Sequence, residues 1–418
     1  MLLYIIYSFL KGDLHMSFQV KSGYTPFTQE SVVHFLVHHN FIDPSSPLIV
    51  KEIGDGNLNY VFHVQNKATE ESWIVKQALP YAKVVGESWP LTLDRSRIES
   101  EALIQAHSLV PEFSPVVYLH DSEKAATVME DLSSHTILRK GLIEGRVYPE
   151  LARNVGTYLA HTLFFTSDYG LGSAKKKELA KRFSNPDLCA ITESLVFSDP
   201  FYNAESNAFT EELRPDVEIL WEDQDFLTEV ASLKHSFLTK GEALIHGDLH
   251  TGSLFVTEGS TKVIDPEFAF YGPAGFDVGA FIANITLSIL SQEAHRTEKE
   301  KDGYLAYLFG VITEVWTVFD STFRSLWDTH LSEDNRYSRG YLNTHLQSIF
   351  VDSIGFAGCK IIRRTIGLAH VEEIETITDP EVKLAVERRA LTLGKKLILN
   401  RKNINSIKDY IETIKEVV

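Results

Sequence analysis

Cysteine is scarce in this chain: Cys189 and Cys359 are the only two among 418 residues. Two thiols so far apart in sequence argue against a disulfide framework and indicate a reducing compartment, so we expect a cytoplasmic protein. An excess of positive charge is also missing, because 57 acidic residues against 40 basic residues give a formal net charge of −17. This acidity argues against nucleic acid or an anionic membrane as the main partner.

The N-terminus lacks the features of a membrane span or a signal peptide. Its opening apolar segment, MLLYIIYSFL, has ten residues and is too short to cross a bilayer. No basic region precedes the apolar residues, and no cleavage site of small residues follows them. Met16 is a plausible alternative start, so we expect residues 1–15 to be an upstream extension without a structural role. We assign residues 1–23 to an N-terminal extension.

The remaining composition is that of a globular protein. Hydrophobic residues make up 44% of the chain and charged residues 23%. The length of 418 residues predicts two or three domains and permits a core of ordinary size. The sequence shows no internal repeat, low-complexity tract or long linker.

The periodicity of apolar residues predicts an α+β fold in two lobes. The first lobe begins with a helix at residues 28–41, whose apolar stripe is Val32, Phe35, Leu36 and Val37. Five predicted strands follow, at residues 48–53, 60–65, 72–76, 116–120 and 125–129. A second helix is predicted at residues 91–109, between the third and fourth strands. The second lobe is mainly helical, with predicted helices at residues 148–166, 217–238, 277–293, 304–327, 346–370 and 381–399.

The segment from Ile245 to Asp277 is the most informative part of the chain. It predicts a β-hairpin, the only clear β element of the second lobe, with Asp248 before its first strand and Asp265 and Glu267 after its second. We therefore expect three carboxylates at one end of a small sheet. Such carboxylates repel one another unless a cation or a proton lies among them. The chemistry that uses this cluster best is Mg²⁺-assisted phosphoryl transfer.

The two acidic motifs of this segment resemble the catalytic and metal-binding loops of protein-kinase-like phosphotransferases. The longer pattern HGDLHTGS…DPEFAFYGPAGFD is narrower, and it resembles the methylthioribose kinases of the aminoglycoside- and choline-kinase-like group. Further matching segments extend the resemblance from about Tyr24 to the C-terminal helices. They are EIGDGNLNYVF (52–62), IVKQALPY (74–81), GESWPLT (86–92), HTLFFTS (161–167), VFSDP (196–200) and IIRRTIGLAHVEE (361–373).

The resemblance implies a protein-kinase-like fold with ATP and Mg²⁺ as cofactors and methylthioribose as the small-molecule substrate. We assign residues 24–131 to a nucleotide-binding N-lobe and residues 132–418 to a C-lobe with the catalytic loop, the metal site and the sugar site. A hinge is expected near residues 130–134, and ligands commonly bind in the cleft between such lobes. The resemblance also implies a homodimer, with the C-terminal helices as one candidate interface.

The nucleotide half of the site is expected in the N-lobe. A glycine-containing loop, Gly54–Asn59, joins the first two strands; alone it would indicate a plain hairpin turn. Lys76, on an apolar third strand, suits the kinase lysine that binds the α- and β-phosphates, although an edge-strand lysine is the alternative. Its carboxylate partner is Glu99 or Glu101, and we favour Glu99 because it shares a helix face with apolar residues. By resemblance, the ATP contacts are Asn59, Lys76, Glu130, Asp131, Leu132, Asp265, Pro266 and Glu267.

Asp248 is the predicted catalytic residue and a substrate contact. It either accepts the proton of the acceptor hydroxyl or orients that hydroxyl in line with the γ-phosphate. We interpret His246 as structural, with a direct acid–base role as the alternative. His250 lies two residues after Asp248 and could contact phosphate or substrate.

Two positions depart from the wider kinase group. Ser253 stands five residues after Asp248, where an asparagine ligand is usual, and Asp265-Pro266-Glu267 replaces Asp-Phe-Gly. Serine is a weak metal ligand beside a carboxylate. We therefore predict Asp265 and Glu267 as the metal ligands; a turn followed by a solvated acid is the alternative.

The acceptor pocket is expected near Arg363 and Arg364, on an apolar helical segment. Paired arginines fit sugar hydroxyls and a phosphoryl group in transit, whereas choline and aminoglycosides are cations. Because adjacent helical residues diverge by about 100°, we take Arg363 as the substrate contact by resemblance and Arg364 as support. The alternative is an ion pair with Glu372 or Glu373. Trp89 could cover the nucleotide, contact the thiomethyl group or pack in the core.

The resulting function is ATP-dependent phosphorylation of S-methyl-5-thio-D-ribose at its anomeric hydroxyl, in methionine salvage. Another small-molecule kinase of the aminoglycoside/choline type is the alternative within enzymes. A catalytically dead kinase fold is the alternative from another class, but such proteins tend to lose residues equivalent to Lys76, Asp248 or Asp265. All three are present here.

Overall fold

The computed structural model describes residues 24–54, 58–82 and 86–418, and the side chains of residues 82–89 are not described. Our predictions for residues 1–23, for Asp55–Asn57 of the glycine-containing loop and for the Trp89 side chain therefore lie outside the described residues. The chain divides into two compact units. The first contains the described residues up to Arg97 together with Leu119–Val128, and the second contains Ile98–Tyr118 and Met129–Val418. The predicted division after Asp131 differs from these units by assigning residues 98–118 and 129–131 to the N-lobe.

The first unit is built on an antiparallel sheet in the strand order β1-β2-β3-β7-β6, which includes the ends of two strands from the second unit. Its elements are α1 (Gln29–His38), β1 (Leu48–Ile53), β2 (Asn59–Asn66), β3 (Ser72–Ala78), β4 (Tyr81–Ala82), β5 (Gly86–Pro90), β6 (Val117–Asp121) and β7 (Ala126–Glu130). Helix α2 (Asp94–Leu109) begins in this unit and continues in the second unit from Ile98. The five predicted strands are confirmed to within two residues at each end.

Helix α1 covers one face of this sheet. Thr28 caps its N-terminus, because the Thr28 side chain accepts a hydrogen bond from the Ser31 amide at 3.1 Å. Val32, Phe35 and Leu36 are buried in a cluster with side chains of β2, β3 and β7. The predicted apolar stripe is thus confirmed, except that Val37 is only half-buried and the helix ends three residues earlier than expected.

The second unit is mainly helical. Its helices and strands, in chain order, are β8 (Thr136–Ile137), α3 (Leu138–Ile143), α4 (Leu151–Phe165), α5 (Asp168–Leu171), α6 (Ser173–Arg182), α7 (Pro186–Phe197), α8 (Arg214–Glu222), α9 (Gln224–Thr239), β9 (Ala243–Ile245), β10 (Leu254–Val256), β11 (Thr261–Val263), β12 (Phe270–Gly272), α10 (Ala274–Leu290), α11 (Gln292–His295), α12 (Glu298–His330), α13 (Leu342–Ile366), α14 (Glu372–Glu375), α15 (Pro380–Asn400) and α16 (Ile407–Lys415). No helix in the described part of the chain is long and apolar enough to cross a membrane.

Two predictions for this unit are wrong. The single helix expected at residues 217–238 is two helices, α8 and α9, because Asp223 interrupts it and caps α9 by accepting a hydrogen bond from the Phe226 amide at 3.0 Å. The hairpin is also not the only β element. Strand β8 adds to its edge, and β9 pairs with β12 in a separate two-stranded sheet. These strands have two or three residues, too few for an alternating pattern to reveal them.

A buried histidine makes the stability of this unit sensitive to acid. His345 is 7% exposed, and its ring lies 5.0 Å from the Tyr169 ring and 5.7 Å from the Phe323 ring. Burial, assisted by the charges of Lys240 and Lys176, lowers the pKa of His345 to about 4. An unfolded chain takes up this proton near pH 6.5, so protonation favours the unfolded state below that pH.

We expect His345→Phe to reduce the loss of stability on acidification. Through this one group, the free energy of unfolding of the wild type should fall by about 2 kcal/mol between about pH 7.5 and pH 5. The reason is that the His345 ring stays neutral in the native protein until about pH 4, whereas it is already charged in the unfolded chain. Urea denaturation at the two pH values measures the difference. An exposed histidine on α1, His34, is the control, and His34→Phe should leave the pH dependence unchanged. Identical pH dependence in His345→Phe and the wild type would contradict this prediction.

Candidate active site

The β10–β11 hairpin brings the two acidic motifs to one end of a small sheet, as predicted. The strands pair antiparallel, with Leu254 opposite Val263. The loop before β10 therefore lies beside the residues that follow β11. His246 connects the two directly, because its Nε2 atom donates a hydrogen bond to the Ile264 carbonyl at 2.7 Å.

The His246 ring is structural, and its hydrogen bonds define its protonation. Nε2 faces a carbonyl and must carry the hydrogen, whereas Nδ1 accepts a hydrogen bond from the Asp248 amide at 3.2 Å. The two ring nitrogens thus join the backbone of Asp248 to the backbone that follows β11. The alternative of a direct acid–base role finds no support in these contacts.

Asp277 anchors the same loop from the first turn of α10. Its Oδ2 atom accepts a hydrogen bond from the His246 amide at 2.6 Å, and its Oδ1 atom accepts one from the Gly247 amide at 3.0 Å. Burial raises the pKa of Asp277, although His246 and the two amide bonds oppose that change. Gly247 itself has a φ of 83°, and a Cβ there would lie 2.2 Å from the Phe268 carbonyl oxygen. Only glycine fits this position.

Asp248 lies in a pocket of cationic and polar groups. Its Oδ1 atom is 3.1 Å from the ammonium nitrogen of Lys360, and its Oδ2 atom is 3.3 Å from Nε2 of His250. Burial by itself raises the pKa of Asp248, but Lys360, His250 and Arg364 together hold that pKa well below its usual value. Asp248 is therefore a carboxylate at any physiological pH. Its side chain is 25% exposed and remains accessible to a substrate hydroxyl.

His250 supports Asp248 as a neutral ring. Nδ1 of His250 accepts a hydrogen bond from the Gly252 amide at 2.9 Å, so Nε2 carries the hydrogen and presents it to Asp248. Burial lowers the pKa of His250 to about 4 despite the opposing effect of Asp248. The predicted contact of His250 with phosphate or substrate stays a prediction.

Four cationic side chains surround this carboxylate. Lys360, Arg363 and Arg364 come from α13, and Arg139 comes from α3 with its Nη2 atom 3.3 Å from Nδ1 of His250. Asp277 and Glu373 partly balance the charge that Asp248 leaves, and Glu373 lies 3.7 Å from Nε of Arg139. The interior of the site is thus basic although the chain is acidic, and the sequence analysis did not identify Arg139 or Lys360.

Both predicted arginines face the same region. Arg363 and Arg364 each donate a hydrogen bond to the Ala369 carbonyl, at 3.1 and 3.4 Å, and the charge of each acts on Asp248. Burial lowers the pKa of Arg364 to about 9 and also lowers that of Arg363. The Nε atoms of both are buried without a hydrogen-bond partner. No direct ion pair joins either arginine to Glu372 or Glu373, all four of which the structure describes, but the charge of Glu373 acts on Arg364. The alternative of a pairing with an acid therefore stays a prediction for Arg364.

The predicted metal motif has an unusual backbone. Asp265 adopts a left-handed conformation, with φ 64° and ψ 43°, and is followed by a short 3₁₀ turn, Pro266–Phe268. Such strain at a non-glycine residue is typical of functional sites. Glu267 is 8% exposed, and Asn185 holds the turn by donating to the carbonyls of Glu267 and Ala269 at 2.9 and 3.2 Å.

The three carboxylates do not form one metal cage. Within residues 24–54, 58–82 and 86–418, no group of three or more His, Cys, Asp or Glu side chains is arranged to hold a metal ion. The oxygens of Asp248 face Lys360 and His250 instead, which corrects the expectation that all three acids converge on one cation. Asp265 and Glu267 still offer the oxygen chemistry that Mg²⁺ needs, since protein-bound Mg²⁺ commonly uses one or two carboxylates plus substrate phosphates.

Ser253 is used within the catalytic loop. Its hydroxyl donates to the Asp248 carbonyl at 3.1 Å, and its own carbonyl accepts from the Ile264 amide at 3.0 Å. The side chain is 3% exposed. Ser253 thus helps to join the loop to β11, which agrees with the assignment of the metal-ligand role to other residues.

The predicted nucleotide residues of the first unit are buried. Lys76 is 7% exposed and lies on β3, the third of five strands, so the alternative of an edge-strand lysine is wrong. Asn59 is 5% exposed, and its side-chain oxygen accepts from Arg95 at 2.6 Å. Arg95 also donates to the carbonyls of Leu58 and Leu79, at 2.6 and 3.0 Å. The sequence analysis missed Arg95, which holds the start of β2 in place.

The remaining predicted residues lie in the second unit. Glu99 is 3% exposed, as its helix face predicted, whereas Glu101 forms an ion pair with Arg182 at 2.6 Å. The pairing of Glu99 with Lys76 stays a prediction. At the predicted hinge, Glu130 accepts from the Val116 amide at 3.0 Å and Asp131 accepts from the Ser133 amide at 2.9 Å. These bonds fix the turn that is predicted to bind adenine.

The fold and this loop chemistry define a kinase-like phosphotransferase, and the chain belongs to the phosphotransferase enzyme family, whose profile matches residues 49–307. This membership confirms the predicted α+β kinase-like fold. A solved glucosamine kinase in complex with glucosamine, ADP and inorganic phosphate has a TM-score of 0.49 at 12% identity, over 88% of this chain and 83% of that chain.

Within that family, the chain belongs with the methylthioribose kinases. It is 52% identical to the methylthioribose kinase of Geobacillus sp. (strain WCH70), over 92% of this chain and 94% of that protein. It is 47% identical to the methylthioribose kinase of Bacillus pumilus (strain SAFR-032), over 95% of this chain and 98% of that protein. The predicted resemblance is thereby confirmed, and the chain is a kinase.

Proposed function

We propose that this chain transfers the γ-phosphoryl group of ATP to the anomeric hydroxyl of S-methyl-5-thio-D-ribose. The products are ADP and S-methyl-5-thio-α-D-ribose 1-phosphate, and the reaction belongs to methionine salvage. The observation that carries this choice is the basic environment of Asp248, taken together with relatives that are methylthioribose kinases at about half identity over nine-tenths of the chain.

The charge of the site favours an uncharged sugar over a cationic acceptor. Lys360, Arg139, Arg363 and Arg364 outnumber the three acids, Asp248, Asp277 and Glu373, that act on them. Choline or an aminoglycoside would bring further positive charge into this buried region, where like charges are poorly screened. The partly unpaired guanidinium groups instead suit sugar hydroxyls and the transferred phosphoryl group.

Asp248 is the proposed catalytic residue. Its carboxylate accepts a hydrogen bond from the anomeric hydroxyl and directs the hydroxyl oxygen in line with the γ-phosphorus. The new bond joins that oxygen to phosphorus, the bond between phosphorus and the β–γ bridging oxygen breaks, and the hydroxyl proton is released toward Asp248. The transfer is direct, without a covalent enzyme intermediate. Arg363 is the proposed substrate contact and Arg364 its support.

The proposed nucleotide contacts are the residues that the family resemblance implies. Lys76 binds the α- and β-phosphates, Asn59 contributes from β2, and the backbone of residues 130–132 binds adenine. Asp265 and Glu267 hold Mg²⁺, and Pro266 contacts the nucleotide. When bound, Mg²⁺ neutralises charge on the phosphate oxygens. This part of the proposal is supported by the family resemblance, by the burial of Lys76 and by the strained backbone of Asp265.

An activity panel tests the proposed function. We expect kcat/KM for methylthioribose to exceed that for choline, homoserine and kanamycin by at least about a hundredfold, because a site built for one acceptor leaves its polar groups unpaired with another. ADP release measures the rates, and ³¹P NMR coupling to the anomeric proton identifies the product. A preference for choline or kanamycin would indicate another small-molecule kinase. Absence of ADP formation with every acceptor would indicate a catalytically dead fold.

We also propose a homodimeric, cytoplasmic enzyme. The homodimer is supported by the family resemblance. The compartment is supported by the two cysteines, both of which are free thiols.

A further inference from the structure

Lys360 is a buried lysine to which the proposed reaction assigns no individual role. It lies on α13 in a stretch of buried residues, Asp352–Ile362, and is itself 3% exposed. Lysine normally keeps its ammonium group in water, and burial of an ammonium is costly unless it is paired. The sequence offered no reason to single it out, because it stands in an apolar helical segment beside the two arginines.

The ammonium group of Lys360 has two partners. It lies 3.1 Å from Oδ1 of Asp248 and 4.6 Å from the centroid of the Phe276 ring. Phe276 directly precedes Asp277, which binds the backbone of the catalytic loop. The loop is therefore held at its backbone by α10 and at its carboxylate by α13.

Helices α10 and α13 form a rigid base for these two contacts. They pack closely through glycines, since a Cβ on Gly275 would lie 2.7 Å from the Ile349 carbonyl oxygen and one on Gly279 would lie 2.5 Å from that of Ser353. This leaves little freedom for Lys360 to move relative to Asp277. Groups that set the geometry of a reacting residue need such fixed support.

We propose that Lys360 is a positioning residue for phosphoryl transfer: its buried ammonium fixes one carboxylate oxygen of Asp248 and leaves the outward side of the carboxylate to orient the acceptor hydroxyl. This inference rests on the proposed function, because it assigns Asp248 to the acceptor. Lys360 itself does not touch the reacting atoms in this arrangement.

The electrostatics of the pair agree with this geometry. Burial lowers the pKa of Lys360 to about 8, although Asp248 opposes that change. Removing the positive charge would raise the pKa of Asp248, which Lys360 helps to hold well below its usual value. Further ionisable groups act on this pair, or on the arginines beside it, from every surrounding element: His250, Asp277, Arg363, Arg364, Arg139 and Glu373.

Lys360→Met is the main test, because methionine keeps the length of the side chain and removes the charge. We expect kcat to fall about 10- to 100-fold, the usual effect of removing a group that orients an active-site residue. KM for ATP should stay within about twofold, since the change does not touch the nucleotide residues. The acidic limb of the kcat–pH profile should move to higher pH. Lys360→Arg keeps the charge, so it should recover part of kcat and restore the acidic limb.

Lys240→Met is the matched control. Lys240 forms an ion pair with Asp352, which lies on α13 as Lys360 does. Among the described contacts, none connects that pair to Asp248. Its loss should lower stability without changing kcat or the pH profile. If Lys360→Met keeps the wild-type kcat and acidic limb, or changes only the melting temperature as Lys240→Met does, the positioning role is wrong.

A second measurement covers the case in which Lys360→Met folds poorly. In an Asp248→Asn background, Lys360 is a buried cation without its counter-ion, so adding Lys360→Met should raise the melting temperature of that variant. A further decrease would overturn the pairing. If the wild-type enzyme does not phosphorylate methylthioribose, the proposed function is wrong, and the role of Lys360 is a separate question. The ratio of variant to wild type would then be measured on the acceptor that the panel identifies.

Discussion

Asp248→Asn is expected to lower kcat by about a thousandfold, within the range that positioned acid–base groups contribute. Asparagine keeps the size of the side chain and one acceptor oxygen, but it loses the negative charge that draws the hydroxyl proton. ATP binding should persist with nearly unchanged affinity, because the proposed nucleotide contacts lie elsewhere. Rates of ADP release and calorimetric titration with ATP measure the two quantities.

The same substitution should also destabilise the protein, and a matched variant separates the two effects. Asp248→Asn leaves the Lys360 ammonium buried without a counter-ion, at a cost of up to about 3 kcal/mol. Asp352 lies on α13, as Lys360 does, and is 6% exposed. Asp352→Asn breaks the ion pair of Asp352 with Lys240. The Lys240 ammonium that it leaves is 30% exposed and can be solvated, so the melting temperature should fall less, while kcat stays at the wild-type value. A kcat for Asp248→Asn within tenfold of wild type would rule out the proposed catalytic role.

The sequence predicts those parts of the site whose residues are close together in the chain. The β10–β11 hairpin consists of two short β-like segments joined by a turn, and its acids lie a few residues before the first strand and after the second. Lys76 is recognisable because it is a charged residue in an apolar strand, and the structure places that strand inside the sheet. In each case a local pattern of two or three residues carries the information.

The groups that position the site are not predictable in this way. Lys360 contacts Asp248 from 112 residues further along the chain, and Arg139 approaches His250 from 111 residues before it. Asp277 ends the most informative segment, yet its contact with the His246 amide depends on how α10 packs against the loop. An acid near the start of a helix is ordinary by itself, since the helix dipole favours it there. Only the folded chain distinguishes these residues from surface charges.

The same difference in range explains the errors in secondary structure. The apolar period continues through residues 217–238, so nothing in the pattern requires a break. In the structure Asp223 has an extended backbone, with φ −80° and ψ 97°, and its side chain caps α9. The expectation that three carboxylates share one cation considered only that the acids before β10 and after β11 lie at the same end of the sheet. In the structure, Lys360 of the distant helix α13 pairs with Asp248, so Asp248 does not share a metal site with Asp265 and Glu267.

Asp265→Asn is expected to remove most of the Mg²⁺-dependent affinity for ATP. Asparagine tolerates the left-handed conformation that Asp265 adopts at φ 64°, so the substitution changes charge while the backbone is kept. We expect affinity for MgATP to fall by at least about ten- to a hundredfold, as even the loss of groups that only support a metal site produces changes of that size. Turnover should fall with it, because Mg²⁺ neutralises the charge that develops on the phosphates.

Titration of ATP with Mg²⁺ and with a chelator separates the metal from the nucleotide. Without Mg²⁺, wild type and Asp265→Asn should bind ATP alike, since the missing charge acts through the cation. Asp265→Ala adds a different effect, because alanine is strained at this φ and should lower stability by a further amount of about 1 kcal/mol. Glu267→Gln should give a smaller loss of the same Mg²⁺-dependent kind if both acids hold the ion. An Asp265→Asn protein that gains as much ATP affinity from Mg²⁺ as the wild type does would place the cation on other residues.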